Sequence, residues 1–372
     1  MAEQALAGLR VIDLSTVLAG PNCARYLADF GADVIKVERP DGGDSLRNMA
    51  WRDPADGEGL WWRFVNRNKR TVDLDLKDEA DREVFLHLMD GADVLVENFR
   101  PGVLEKLGLG PDVLLARNPD LVVTRVTGFG QTGPYASRPG FATIAEAMGG
   151  VAAISGQPGG DPMMPAFALT DEVTGLVAAF ATMVALHSGR GQVVDVSLLE
   201  SIFHLLGPLI SVWLTRGELQ ERMGSGIPYT VPRGAYRCSD GRFIGLSTSS
   251  DSVAQRVMGL LGLGDDPRFS SFDGRVAHRD EIETAMQAWC AARTQQQALD
   301  QLSAADAAAG PIMDMADIAA DPHYASRNAI IEVEGTPMQG LVAKLSATPG
   351  GVRWRGRPRD ADGRHIRRNG WD

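Results

Sequence analysis

The first 130 residues alternate between short apolar strands and amphipathic helices, and this alternation constrains the fold more than any other feature. "LRVIDLS" and "DVIKVER" have the composition of strands, and "GPNCARYLADFGA" between them has helical spacing and a glycine stop at Gly31. The alternation continues through "TVDLDL", the helical "KDEADREVFLHLMDGA", and the strands "DVLVENF" and "LVVTRVTGF". Strands joined by helices pair in parallel, and a parallel sheet needs helices on both faces. The order therefore predicts an α/β fold.

The carboxyl ends of such strands are where ligands bind. The segments that follow the predicted strands are rich in glycine, proline and small polar residues: Ser15–Pro21, Glu38–Asp44, Glu97–Gly102 and Thr127–Pro134. Ordinary strand–helix turns need the same residues. Composition alone therefore favours plain turns, and a binding rim is the alternative.

The second half of the chain has a different pattern. "QVVDVSL" is a predicted strand, "LLESIFHLLGPLISVWLTRG" one long apolar helix, and "YRCSDGRFIGLSTS" a hairpin that turns at Asp240-Gly241. Helical patterns dominate residues 252–320, and "AIIEVEG" returns to strand. We therefore expect a second, smaller domain over residues 225–325. The basic tract "VRWRGRPRDADGRHIRRNG" is expected to be a solvated tail.

Composition excludes several classes of protein. The net charge of −11 over 372 residues argues against non-specific nucleic-acid binding. The three cysteines (Cys23, Cys238 and Cys290) form no CxxC pair, which is typical of reduced thiols in a cytoplasmic protein. The N-terminus lacks the features of a signal peptide. The sequence contains no run of 18 or more apolar residues, so we expect no membrane span.

Several catalytic and cofactor motifs are missing from the sequence. The turn after the first strand is "AGPNCA", so there is no GxGxxG fingerprint, and no GxxxxGK[ST] or GxSxG motif occurs. The six histidines show neither HxH nor HxxxH spacing, so no metal site is expected.

Asp171 stands at the front edge of an alanine-rich helical stretch, with Glu172 beside it and Gly175 one turn further on. An aspartate in this position is most often a helix cap, because its carboxylate accepts backbone N–H bonds. The alternative is chemical: an ionised carboxylate can attack a carbonyl carbon, and the following N–H groups can stabilise the oxyanion that develops. The residues alone leave both interpretations open.

Several stretches taken together resemble the family III CoA-transferases, a superfamily shared with the 2-methylacyl-CoA racemases. The stretches appear in the family's order over most of residues 6–206: "LAGLRVIDLSTVLAGPNCARYLADFGADVIKVERPDGGD", "NRNKRTVDLDLK", "ADVLVENFRPGVLEKLGL", "GFGQTGPYASRPGFATIAEAMGG" and "TDEVTGLVAAFATMVALHSGRGQVVDVSLLES", followed later by "DGRFI". The family's end pattern, glycine–glutamate–histidine–threonine, survives only as Gly363-Arg364-His365-Ile366.

The resemblance implies an architecture. It implies a large Rossmann-like domain over residues 1–205 completed by 330–372, a linker helix over 206–224, and the smaller α+β domain over 225–325. It also implies an interlocked homodimer in which each chain threads through the ring formed by the other.

The resemblance also implies a reaction and its site. The family's nucleophile corresponds to Asp171, which would attack an acyl-CoA thioester to give a mixed anhydride and then an enzyme-bound CoA thioester. Coenzyme A enters as part of the substrate, and no metal or redox cofactor is implied. The implied CoA contacts are Leu18 and Ala19 at the first turn, Arg39 near the nucleotide phosphates, Leu74, Asp75, Leu76 and Lys77 at the adenine, Asn98 and Phe99 along the pantetheine, and Lys106 where an arginine is common.

Two other functions remain alternatives. Racemases carry a His-Asp pair after the "GFGQTGP" loop, whereas this chain has Phe141 and Ala142, which cannot move a proton. A catalytically silent acyl-CoA-binding homologue is the third hypothesis. The nearest candidate for an active-site lid is "GSGIP" at Gly224–Pro228, for which a plain linker is the simpler interpretation. Dicarboxylates such as succinate are plausible donors by family habit, and the acids are not identified by the sequence.

Overall fold

A computed structural model describes residues 4–372 and contains strands in three sheets. The strands are β1 Arg10–Asp13, β2 Asp33–Glu38, β3 Lys69–Asp73, β4 Val94–Glu97, β5 Val122–Thr127, β6 Gln192–Ser197, β7 Arg233–Arg237, β8 Phe243–Ser247, β9 Ala308–Pro311, β10 Ile330–Val333 and β11 Thr336–Gln339.

Helices connect and cover these strands. They are α1 Ala19–Asp29, α2 Leu60–Val65, α3 Glu79–Asp90, α4 Val103–Lys106, α5 Pro111–Arg117, α6 Ala142–Met148, α7 Val151–Ile154, α8 Leu169–His187, α9 Leu198–His204, α10 Leu209–Arg216, α11 Asp251–Leu260, α12 Phe272–Ala277, α13 Arg279–Ala291, α14 Gln295–Ala304, α15 Met315–Ala320, α16 Pro322–Ser326 and α17 Gly363–Asn369. Single turns of 3₁₀ helix lie at Ser45–Asn48 and Pro267–Phe269.

The chain divides into two compact units. One comprises the residues up to Val151 together with Met164–Gly207 and Pro322–Asp372, and it holds the large sheet. The other comprises Ala152–Met163 and Pro208–Asp321.

The large sheet confirms the α/β prediction. Its six strands are ordered β3-β2-β1-β4-β5-β6 and every neighbouring pair is parallel. Successive residues of a strand point to opposite faces, and both faces are buried here. Val11 belongs to the core that β1 shares with α1 and α8, whereas the next residue, Ile12, belongs to the core on the other face with α3. Near-continuous apolar strands are the sequence signature of this double burial.

The C-terminal basic tract is not a solvated tail, which corrects the prediction from its charge. It covers β3, the edge strand of the large sheet. The backbone N–H groups of Thr71 and Asp73 donate to the carboxylates of Asp362 and Asp360, each at 2.9 Å, and the Trp354 indole donates to the Lys69 carbonyl at 3.1 Å. An exposed edge of unpaired N–H and C=O groups invites aggregation, and these contacts satisfy it.

The predicted long apolar helix after β6 is wrong, because the structure has two helices there. Helix α9 ends at His204 and α10 begins at Leu209. Between them Gly207 has a φ of 57°, in the left-handed region, and Pro208 lacks the N–H that a continuing helix requires. The apolar composition on both sides of this break concealed it.

The smaller unit contains an antiparallel sheet of order β7-β8-β9. The predicted hairpin is confirmed: β7 pairs with β8, and Gly241 has a φ of 81° in the turn. Strand β9 lies inside a region expected to be helical, where "AAGP" pairs with β8. Alanine and glycine carry no strand signal, so only the pairing identifies β9.

Within the described residues, α8 is the one helix whose length of 19 residues and mean hydropathy of 1.5 would suffice to cross a membrane. The separate helices α9 and α10 pass the same test only when they are counted as one segment. Length and composition do not distinguish a span from a core helix, and the alanines on one side of α8 pack into the same core as α1.

Candidate active site

The strand order of the large sheet reverses at β1 and β4, which makes this edge the expected ligand crevice. The turns that leave these two strands are joined by one side chain. The Thr16 N–H donates to Asn98 Oδ1 at 2.8 Å, and Asn98 Nδ2 donates to the Thr16 carbonyl at 2.7 Å. The Asn98 amide thus replaces a strand partner and bridges the point at which the order reverses.

Val17, the next residue, has a φ of 68°, which is unusual for a β-branched side chain. Its N–H is held by both carboxylate oxygens of Asp44, at 3.2 and 3.3 Å, from the turn that follows β2. Strained backbone persists where its surroundings over-determine it. The turn after β1 is therefore fixed by side chains from the two neighbouring turns.

Beneath this turn lies a fully buried group of charges that sequence reasoning missed. Lys69 Nζ lies 2.8 Å from Asp13 Oδ2, and Lys36 Nζ lies 3.2 Å from Asp44 Oδ2. Burial alone would raise the pKa of Asp13, but Lys36 and Lys69 outweigh it and hold the pKa below its ordinary value. Burial, partly opposed by Asp13, lowers the pKa of Lys69 to about 8. The available signal was the presence of charged residues within otherwise apolar strands.

Asp171 lies in the first turn of α8 but does not cap it. The N-cap residue is Ala168, which has no side-chain cap bond, and the Asp171 carboxylate has no hydrogen-bond or ion-pair partner within residues 4–372. Burial first, then the charges of Glu146 and Glu172, raise the pKa of Asp171 to about 6. The carboxylate is half-buried and, with this pKa, mostly ionised at neutral pH.

Glu172, the neighbouring carboxylate, is in the opposite condition. It accepts hydrogen bonds from Asn22 Nδ2 at 3.0 Å, Arg25 Nη2 at 3.2 Å and the Tyr26 hydroxyl at 3.1 Å, all from α1. Glu172 therefore fastens α8 to α1 and uses its oxygens in doing so, whereas Asp171 keeps its own unoccupied.

Helix α8 approaches α1 closely because Gly175 has no side chain. A Cβ atom at this position would lie 2.7 Å from the Cβ of Asn22 and 3.0 Å from the Ala19 carbonyl oxygen. Two turns earlier, at the N-cap of α8, Ala168 packs on the apolar cluster that contains Leu18. The start of α8 and the turn after β1 are thus neighbours, which brings the Asp171 region to the crevice.

The residues expected to contact CoA fall into two groups. Leu18, Ala19 and Asn98 lie at the crevice, where the Leu18 side chain is buried among Leu46, Trp62 and Val65 and has no polar task.

The remaining expected contacts lie further along the strand ends. Leu74 and Leu76 are buried after β3, whereas Asp75 and Lys77 beside them are exposed. Arg39 is exposed after β2, with Nε 3.3 Å from the Gly43 carbonyl, Phe99 packs on the core that contains Ile12, and Lys106 is exposed at the end of α4. The contacts of these residues with CoA stay predictions.

Side chains that can bind metal ions and the cysteine thiols are the other groups of chemical interest. Residues 4–372 contain no group of three or more His, Cys, Asp or Glu side chains that could hold a metal ion. The three cysteines are free and buried, and burial raises the pKa of Cys23 to about 12, so that it stays a neutral thiol.

Comparison with known proteins identifies the family. The model of CoA-transferase family III matches residues 6–363. The chain is 40% identical to the β subunit of a succinyl-CoA–L-malate CoA-transferase of Chloroflexus aurantiacus, over 94% of this chain and 89% of that protein. It is 38% identical to a succinyl-CoA–D-citramalate CoA-transferase of the same organism, over 97% and 92%.

A solved structure agrees with this assignment. A CaiB/BaiF family protein from Brucella suis superposes with a TM-score of 0.87 at 32% identity, covering all of both chains. The chain therefore belongs to CoA-transferase family III, and it is a CoA-transferase.

Proposed function

We propose that this enzyme moves CoA from an acyl-CoA donor to a carboxylic acid acceptor through covalent intermediates on Asp171. The observation that carries the proposal is the state of this side chain: a half-buried carboxylate with no cap, ion pair or hydrogen bond within residues 4–372, at the edge where ligands of parallel sheets bind. A structural carboxylate would be paired, as Glu172 is.

The proposed reaction exchanges partners in four steps. An Asp171 oxygen attacks the thioester carbon of the donor, releasing CoA thiolate and forming a mixed anhydride. The thiolate attacks the Asp171 carbonyl carbon, which releases the donor acid and leaves an enzyme-bound CoA thioester. The acceptor carboxylate attacks that thioester to give a second anhydride, and the thiolate attacks the acceptor carbonyl to release the new acyl-CoA and free Asp171.

The environment of Asp171 suits these steps. With a pKa of about 6, the carboxylate is mostly ionised at pH 7 to 8 while being more basic, and so more nucleophilic, than an exposed aspartate. The overall reaction replaces one acyl-CoA thioester and free acid by another such pair of similar energy, so the exchange runs in both directions without ATP.

The strand-end residues are proposed to hold CoA. Leu18 and Ala19 would line the reacting end, and Asn98 would support the turn against which the pantetheine lies, with Phe99 beside it. The nucleotide end would meet Arg39, Leu74, Asp75, Leu76, Lys77 and Lys106. Binding energy from this distant nucleotide can be used to stabilise the reacting centre.

The substrate class follows from the relatives. The similar enzymes of Chloroflexus aurantiacus are named for succinyl-CoA and for the acids L-malate and D-citramalate. We therefore propose succinyl-CoA as donor and a small dicarboxylic acid as acceptor, with no metal or redox cofactor.

The assembly is proposed to be the interlocked homodimer, in the cytoplasm. Leu176, Phe180 and Val184 follow one another at four-residue spacing on α8 and are exposed, with Phe180 72% exposed. A contiguous exposed apolar stripe of this kind marks an interaction surface, which a second copy of the chain would cover. In this proposed assembly the large domain comprises residues 1–205 and 330–372, the linker helix residues 206–224, and the smaller domain residues 225–325.

Mass spectrometry of the trapped enzyme tests the function. The protein is incubated with succinyl-CoA, quenched with hydroxylamine and digested, and we expect a hydroxamate on the peptide that contains Asp171. Asp171→Ala should show neither the label nor turnover, with activity lower by roughly a thousandfold or more. Asp120→Asn, which changes an exposed carboxylate of the same unit, is the matched control and should behave as wild type. Undiminished turnover in Asp171→Ala would refute the proposal.

A further inference from the structure

A second carboxyl group lies buried beside Asp171, and the proposed mechanism does not use it. Glu146 is on α6 and is only 5% exposed. Within residues 4–372 its side chain accepts one hydrogen bond, from the Thr170 hydroxyl, with 2.9 Å between Thr170 Oγ1 and Glu146 Oε1. Thr170 is itself fully buried and immediately precedes Asp171 in the first turn of α8.

Glu146 lacks the partners that a buried carboxylate ordinarily has. No lysine, arginine or histidine among residues 4–372 forms an ion pair with it, whereas Asp13 in the same unit has two lysines. Buried charges are normally paired because their desolvation is costly. An unpaired one next to a second unpaired carboxylate calls for a role other than stability.

We propose that Glu146 is a positioning residue for the transfer reaction: through Thr170 it fixes the first turn of α8, and its charge raises the energy of the free Asp171 carboxylate relative to the acylated one. This inference rests on the proposed function. Once Asp171 carries an acyl group or CoA it is neutral, and the repulsion from Glu146 disappears. The covalent intermediates are thereby favoured over the free enzyme.

Among residues 4–372, Glu146 and Glu172 are the two charged groups that act on Asp171. On its own helix the charge is that of Glu172, to which Arg25 and Tyr26 of α1 donate hydrogen bonds. From α6 the charge is that of Glu146. After burial, Glu146 is the largest contributor to the raised pKa of Asp171, ahead of Glu172.

Two nearly isosteric substitutions separate the charge from the hydrogen bond. Glu146→Gln removes the charge but keeps an oxygen that accepts from Thr170. Thr170→Val removes the hydroxyl and keeps the carboxyl. Single-turnover labelling of Asp171 by succinyl-CoA alone, measured between pH 5 and pH 8, follows the ionisation of Asp171 without an acceptor acid. Ionisation of CoA itself is common to all variants and cancels in the comparison.

The acid limb is the range of pH over which the labelling rate falls as Asp171 is protonated. For Glu146→Gln we expect this limb to move to lower pH, so that the ratio of the labelling rate at pH 5 to that at pH 8 rises roughly threefold or more. The fraction of enzyme trapped as the CoA thioester should fall. Thr170→Val should slow labelling at every pH while the limb moves less than in Glu146→Gln. If Glu146→Gln does not fold, Glu146→Asp, which keeps the charge but withdraws it, should give a smaller shift in the same direction.

The result that would overturn the inference is an acid limb of Glu146→Gln that coincides with that of the wild type. Failure of the proposed function gives a different result, because wild-type enzyme would then acquire no label on Asp171 at any pH.

Discussion

Two carboxylates in the same unit of the molecule, the buried Asp13 and the half-buried Asp171, have opposite surroundings. At the end of β1, Asp13 is surrounded by two lysines and the Ser15 hydroxyl, and the lysines hold its pKa below the ordinary value despite burial. At the start of α8, burial and two like charges raise the pKa of Asp171 to about 6, and no cation within residues 4–372 opposes them.

Under the proposed function, this difference distinguishes a scaffold carboxylate, Asp13, from a reactive one, Asp171. Asp13 has its oxygens committed to neighbours, so it fixes the turn that follows β1 and cannot attack a substrate. Asp171 keeps its lone pairs available at a cost in folding free energy. Functional sites commonly tolerate such a cost where the rest of the fold compensates for it.

We expect the largest effect on stability from breaking the ion pairs of Asp13 with Lys36 and Lys69. Asp13→Asn leaves two buried lysines without their shared carboxylate, and the free energy of unfolding should fall by about 3–5 kcal/mol. Urea unfolding at pH 7 measures it, with Asp120→Asn as the control. Because the folded pKa of Asp13 is depressed, its contribution is present above the unfolded value and is lost as the pH falls through the folded one. A loss below 1 kcal/mol would show that the charges are not coupled.

A substitution at the unpaired carboxylate, Asp171, should change the free energy of unfolding in the opposite direction. Asp171→Asn removes a carboxylate that the fold disfavours, so it should raise the free energy of unfolding by about 1–3 kcal/mol at pH 8. The folded pKa of Asp171 is raised, so the penalty exists above about pH 6 and disappears below the ordinary value of 3.8. Unfolding midpoints at pH 8 and pH 4 measure the gain, most of which should be lost at pH 4. Destabilisation at pH 8 would contradict the assignment of Asp171 as unpaired.

A smaller effect is expected at the turn after β1, which lies between Asp13 and the start of α8. Asn98→Ala removes both hydrogen bonds to Thr16, which together contribute about 1–2 kcal/mol to holding the turn. We expect kcat/KM for succinyl-CoA to fall by roughly tenfold while the enzyme stays folded.

Asn98→Asp sharpens this prediction, because it keeps the acceptor for the Thr16 N–H and loses the donor. It should retain more activity than Asn98→Ala. Equal activity of both variants and the wild type would show that the turn does not depend on Asn98.

Much of the fold could be predicted from the sequence, because the apolar runs of β1, β2, β4 and β5 are separated by clear helical patterns. The wrong prediction for the C-terminal tract concerns contacts between residues that are far apart in the sequence. The cover of β3 by the C-terminal tract joins residues nearly 300 positions apart, as in the bond from Thr71 to Asp362. Charge composition suggested a free tail, and no local pattern reveals an edge strand that needs a cover.

The site was predictable only in part. Asp171 stood out by its place before an alanine-rich helix, but the same place is typical of a cap. Whether its oxygens are occupied depends on the packing of α8 against α1 and α6. Glu146 was missed, although a lone glutamate within the apolar "FATIAEAMGG" was a usable signal. Asp13 and Lys36, which are charged residues within apolar strands, offered the same kind of signal and were also missed.

The most direct test of the central claim is isotopic. The enzyme is allowed to turn over with succinyl-CoA and an acceptor acid whose carboxylate is enriched in heavy oxygen, and the Asp171 peptide is then weighed. In the proposed sequence the bridging oxygen of the second anhydride comes from the acceptor and stays on Asp171 when CoA departs with the acceptor acyl group. The account predicts heavy oxygen in the Asp171 side chain after turnover, and product formation with none there would contradict it.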